Sequence, residues 1–241
     1  DGTCDSGETC SGCSADCGAC PVDQASSPVY DRTHPVLYDN DEVIDVYTDD
    51  YIMALSSLGD IDLRGLITSG SISPYNPYVT SANWDKYVID RNQSISLARQ
   101  AGMKNIPNQT LGIKGNLEKP ASGRIADTAK IGSAGTDLIV AEANRAGTAK
   151  PLLFVAGGCL TTLADAYLKD NSIADKVIVL FLDRISSPSY NSTCDGWATY
   201  IVQQKFPMYL FTQDTYDPVV LKPDILSNLQ PSPYRGFTSD N

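Results

Sequence analysis

Val36-Leu37-Tyr38-Asp39-Asn40-Asp41-Glu42-Val43-Ile44-Asp45-Val46-Tyr47-Thr48-Asp49-Asp50 is the stretch from which the rest of the chain is read. A short apolar run leads into Asp39 and Asp41, and Asp49 and Asp50 open an apolar-periodic stretch from Tyr51 to Leu58. The first pattern predicts a strand over Val36 to Asp39, the second a helix over Asp49 to Leu58. Carboxylates gathered at the carboxyl end of a strand disfavour one another's ionised form unless something offsets their charge. Helix capping accounts for two of them locally, with Asp49 as N-cap and Asp50 in the first turn. Asp39, Asp41, Asp45, Asp49 and Asp50 together point instead to a metal or polar-ligand site. A hard cation such as calcium suits such a site, because its ligands are oxygens.

Outward from this stretch, strand and helix patterns alternate. Strands are expected at Ile61 to Thr68, Leu152 to Ala156, Val177 to Leu182 and Met208 to Phe211. Helices are expected at Ala82 to Gln100, closed by Gly102, and at Thr136 to Arg145, Leu160 to Leu168 and Trp197 to Gln204. Such alternation implies an α/β fold with a mostly parallel sheet and right-handed crossovers, and a ligand site outside the carboxyl ends of the strands. Gly157-Gly158, at the end of one strand, is therefore expected to face the same crevice as Asp39 to Asp50. The irregular stretch 103–132 is too long for a passive connection and is expected to cover a site or an interface.

The whole chain has 241 residues, with 29 acidic against 18 basic side chains and a net charge of -11. An acid excess without a basic patch argues against nucleic acid as a partner. No apolar run reaches membrane-spanning length. Five of the seven cysteines, Cys4, Cys10, Cys13, Cys17 and Cys20, fall in residues 1–20. That density suggests either disulfides or zinc. The two CxxC units lie too close together for the usual zinc spacing, so the segment reads as disulfide-rich and the protein as extracellular or cell-surface. Five is odd, so one cysteine of the segment has its partner before Asp1 or elsewhere, and Cys159 and Cys194 could each be a buried free thiol. Asn92, Asn108 and Asn191 head glycosylation acceptor triplets. The organisation expected is a Cys-rich segment at 1–20, a linker or arm at 21–35 and an α/β domain at 36–241.

Two resemblances add to this reading. Residues 1–20 resemble a short Cys-rich repeat of secreted bacterial proteins, entered partway through a unit. Residues 36–220 resemble the nucleoside hydrolases, calcium-dependent three-layer α/β enzymes that cleave the N-glycosidic bond of ribonucleosides. The resemblance is carried by Asp39-Asn40-Asp41, Asp49-Asp50, the strand Ile61 to Ser69, and Gly157-Gly158-Cys159-Leu160-Thr161-Thr162. It implies that Asp41 binds calcium and acts as the base on water. It likewise implies calcium ligation by Asp50 and the Gly157 carbonyl, ribose binding by Asp49 and Asn191, and a supporting role for Asp39 behind the ligands. The chain departs from the family pattern in three places. Seven residues separate Asp41 from Asp49, a longer spacer than the family's. Thr162 stands where the family has Asn. The family's late His-Asp pair has no counterpart, since the one histidine is His34, read as a surface residue in the arm. The domain is accordingly expected to be either C-terminally incomplete or diverged in chemistry, with Tyr38, Tyr47 or Tyr190 as stand-in proton donors.

Three functions are consistent with these residues. The first is a secreted hydrolase of ribosides. The second is a non-catalytic extracellular subunit, of a surface or filament, that self-associates. The third is a sugar- or nucleoside-binding protein.

Overall fold

The computed structural model describes residues 31–41, 46–70, 84–183 and 190–212. The chain divides into two units, Asp1–Asp31 and Arg32–Asn241, and every element below belongs to the second. Cys4, Cys10, Cys13, Cys17, Cys20 and Asp45 lie outside the described residues.

A strand whose consecutive residues are all apolar can bury them only if both faces of its sheet are covered. β1 (Pro35–Asn40) is buried at every position. Leu37 joins a core with Ile67, Ile139, Phe154, Val179, Phe181 and Ile201. Its neighbours Val36 and Tyr38 join a second core with Ile52, Met53, Leu66 and Ile95. The first core lies under α3 (Ala134–Ala146), α4 (Thr161–Lys169) and α6 (Gly196–Lys205), the second under α1 (Val46–Leu58) and α2 (Trp84–Gln100). The domain is thus a three-layer α/β sandwich.

The sheet also contains β2 (Asp62–Thr68), β3 (Gln109–Leu111), β4 (Leu152–Ala156), β5 (Val177–Asp183) and β6 (Met208–Thr212). Its order is β3-β2-β1-β4-β5-β6, and every neighbouring pair is parallel. The order reverses between β1 and β4. In open α/β sheets such a switch point leaves a crevice, because the connections leaving the two strands run to opposite faces. Asp39 pairs in register with Ala156, so the acidic exit of β1 and the Gly157-Gly158 exit of β4 adjoin at that crevice.

Several elements differ from the sequence reading. α1 begins at Val46, which puts Asp49 inside its first turn rather than at the N-cap. α2 ends as expected at Gln100, and Gly102 just beyond it has a φ of 92°, which suits a residue without a Cβ. His34 is buried at the entrance to β1 rather than lying on the surface. Cys159 and Cys194 are not free thiols but form a disulfide, with Cα atoms 5.9 Å apart. It joins the turn after β4 to the end of the short α5 (Tyr190–Thr193).

The stretch 103–132 contributes β3 and then crosses the carboxyl edge of the sheet. Buried backbone needs hydrogen-bond partners, and here they come from the end of β2 and from side chains of α4 and the N-cap of α6. The Gly112 amide donates to the Thr68 carbonyl (2.8 Å), and the Ile113 amide donates to Thr162 Oγ1 (3.0 Å). Leu117 N donates to Asp195 Oδ2 (2.8 Å), while Ile131 and Gly132 donate to the two oxygens of Asp165.

Candidate functional site

The crevice is floored by polar groups withdrawn from solvent. Asp39, Asn40, Asp41, Thr68 and Ser69 are all buried at the exits of β1 and β2, as is Asp183 at the end of β5. Asp49 is 2% exposed and Asp50, next to it in α1, is half-buried. Among the described residues Arg91, 1% exposed, is the one buried Arg or Lys side chain. Five carboxylates and one guanidinium therefore lie at the carboxyl end of the sheet, and of the five Asp49 bonds Arg91 while Asp39 feels its charge.

Each acid is held differently. Asp39 Oδ1 accepts a short hydrogen bond from the Ser69 hydroxyl, and the Asp39 carbonyl accepts from Gly157 N at 2.8 Å. Burial raises the Asp39 carboxyl from 3.8 to about 7, against the opposing pull of the Ser69 hydroxyl and the Arg91 charge. Asp49 Oδ1 accepts from Arg91 Nη2 at 2.9 Å. Oδ2 of Asp39 and Oδ2 of Asp49 are buried without a hydrogen-bond partner among the described residues. Asp41 packs on the second glycine of the β4 turn. A Cβ on Gly158 would fall 2.9 Å from Asp41 Cβ and Cγ, and one on Gly157 would fall 2.7 Å from Asn40 Oδ1. Two residues without side chains thus let the exits of β1 and β4 touch.

The remaining candidates are more dispersed. Asn191 lies at the same edge, buried, with its Nδ2 donating to the Leu182 carbonyl at 2.8 Å. A glycan on that nitrogen does not fit this conformation, whereas Asn92 and Asn108 are exposed. Thr162 is spent on the Ile113 amide. His34 precedes β1 and so lies a strand length from the crevice, about 20 Å at the usual rise per residue. Tyr38 is fully buried beneath Arg91, 5.5 Å from its ring centroid, and the side chains of Tyr47 and Tyr190 lie outside the described residues. Tyr87 in α2, which sequence reasoning passed over, is raised by burial and feels the charges of Lys86, Asp90 and Asp41.

The donor chemistry fits a hard cation. The acid surplus faces one buried guanidinium, and Oδ2 of Asp39 and Oδ2 of Asp49 have no donor among the described residues. Asp41, Asp50 and the Gly157 carbonyl would supply only part of calcium's six to eight oxygens, so water and ligand hydroxyls would complete the shell. No group of three or more His, Cys, Asp or Glu side chains converges in a metal-holding arrangement among the described residues.

Sheet order, three layers and an acidic switch point define a doubly wound α/β protein with an acidic crevice at the carboxyl end of its sheet. Its fold is nucleoside hydrolase-like. An inosine-guanosine nucleoside hydrolase superposes with a TM-score of 0.59 at 17% identity, over 85% of this chain and 70% of that one. A purine-preferring ribonucleoside hydrolase from Gardnerella vaginalis gives 0.52 at 17% identity, over 75% and 61%. An effector protein gives 0.55 at 13% identity, over 86% and 64%. The chain thus spans about three-fifths of the length of the Gardnerella enzyme. No protein-family model and no curated protein matches the sequence.

Proposed function

We propose that the crevice between β1 and β4 binds a riboside together with calcium, and that the protein hydrolyses the N-glycosidic bond of that riboside. The observation that carries this reading is the set of buried carboxylates at the switch point, held against Gly157-Gly158. When bound, calcium would acidify and orient a water and neutralise the acids around it. Asp41, Asp50 and the Gly157 carbonyl are the groups that would hold it. Asp41 takes the proton of the attacking water as that water bonds to C1′ and the bond from C1′ to the base breaks, its electron pair leaving with the base nitrogen, which takes a proton from solvent. Asp49 Oδ2 accepts a ribose hydroxyl, and Asn191 closes the sugar end. Asp39 braces the site through Ser69. The Cys159–Cys194 bridge supports an oxidising, extracellular setting, and exposed Asn92 and Asn108 are the acceptor sites compatible with it.

A second reading is a non-catalytic extracellular subunit or a sugar- or nucleoside-binding protein that keeps the crevice without turnover. It is favoured by the position of His34, the chain's one histidine, which is buried at the opposite edge of the sheet from any leaving base. Release of free base from a nucleoside panel, with calcium and then with chelator, separates the two. Calcium-dependent release that disappears in Asp41→Asn supports hydrolysis. Nucleoside binding by calorimetry without release supports the binding protein. Folded protein that neither binds nor cleaves supports the structural subunit, whose self-association light scattering then measures.

A further inference from the structure

Asp49 and Arg91 form a buried ion pair whose partners come from different helices, α1 and α2. The guanidinium is anchored independently of Asp49. Its Nη1 donates to the Ile67 carbonyl and to Thr68 Oγ1 (2.8 Å), and its plane lies near the Tyr38 ring. Arg91 is thus fixed to the carboxyl end of β2 and lies against β1, one of the two strands that flank the switch point. Asp49 is tied to this fixed cation through Oδ1, and its Oδ2 is buried without a donor among the described residues. A carboxylate clamped by one oxygen loses the rotamer freedom that would otherwise oppose ligand binding.

We infer that Arg91 is a positioning residue for the sugar: it clamps Asp49 so that Oδ2 accepts a hydroxyl of a neutral, hydroxyl-rich ligand. This rests on the riboside reading and deepens it. Arg91 neutralises Asp49, so Asp49 serves the sugar and leaves the cation to Asp41 and Asp50. The positive charge of Arg91 also opposes a cation in the same crevice, and this gives the inference a sign that packing damage does not share.

The test is calorimetry with calcium chloride, then with D-ribose at saturating calcium, on wild type, Arg91→Lys, Arg91→Met and the double variant Asp49→Asn with Arg91→Met. In Arg91→Met, ribose affinity falls about tenfold or more, the loss of one charge-assisted hydrogen bond, while calcium affinity holds or rises. Arg91→Lys keeps the charge and returns calcium affinity to the wild-type value. Parallel loss of both affinities in Arg91→Met, or unchanged ribose affinity, overturns the inference. Wild type that binds neither ligand defeats the riboside reading, and with it the sugar role of Arg91. Urea midpoints in chelator test the clamp separately from either ligand. The double variant unfolds at a higher midpoint than Arg91→Met if the two residues are paired, because it leaves no lone buried charge. An equal or lower midpoint also overturns the inference.

Discussion

Replacing Asp39 with Asn tests whether the crevice holds an acid at a thermodynamic disadvantage. Burial raises the Asp39 carboxyl from 3.8 to about 7 in the folded chain. A folded value above the unfolded one means that the native state holds the extra proton between those two pH values. Stability is therefore fully present below about pH 4, falls as pH rises through 7, and levels off above it. A shift of about three units corresponds to about 4 kcal/mol as an upper limit. Asparagine keeps an acceptor for the Ser69 hydroxyl but carries no charge. In Asp39→Asn this part of the pH dependence should vanish, so the variant matches wild type near pH 4 and exceeds it near pH 8. The assay is urea unfolding at half-unit steps from pH 4 to 8 in chelator. Subtracting one curve from the other cancels every group distant from Asp39. Parallel curves across the range would show that Asp39 ionises freely, and would refute the account of the crevice as a dry acidic site.

Three further outcomes follow from particular contacts. Gly158→Ala places a methyl 2.9 Å from Asp41 and should cost about 1–3 kcal/mol in urea unfolding while weakening calcium binding by calorimetry; unchanged calcium affinity would mean that Asp41 is not a ligand. Replacing Cys159 and Cys194 together by Ala should lower stability by about 3–4 kcal/mol, from the loop closed by a bridge spanning 35 residues, and a midpoint insensitive to reductant in wild type would contradict the bridge. Asp195→Ala removes the acceptor of three donors, Ala198 N, Leu117 N and Thr161 Oγ1. It should cost about 3 kcal/mol and speed hydrogen exchange at the Leu117 amide, whereas slow exchange there would show that the stretch 103–132 is anchored elsewhere.

Much of the fold can be read in the sequence because it is written in local periodicity. The unbroken apolar run Val36 to Tyr38 marks a strand covered on both faces, and the structure covers it on both faces. The run Leu152 to Ala156 closed by Gly157-Gly158 marks a strand exit, and it falls beside Asp39 as the crossover rules imply. Acids that follow strands in a parallel sheet must share one edge, so Asp39, Asp41 and Gly157 could be placed together before any coordinates.

What the sequence left open depends on distance along the chain. Local sequence permits Asp49 either as an N-cap or, with its neighbouring acids, as part of a ligand site. Its actual partner is Arg91, 42 residues away in a helix whose own pattern gives no sign of a buried cation. His34 beside Pro35 looked exposed for the same local reason, and only the strand that follows it draws it inside. Cys159 and Cys194 carry no spacing signature, and their pairing depends on the turns after β4 and β5 meeting in space. The periodicity of short segments determined the α/β layering and the acidic edge, since burial on a strand or helix is set by neighbours within one or two turns. Which acid meets the cation, which thiols join and which carboxyl oxygens stay undonated were decided by tertiary structure, because those contacts form only after the sheet has brought distant segments to one crevice.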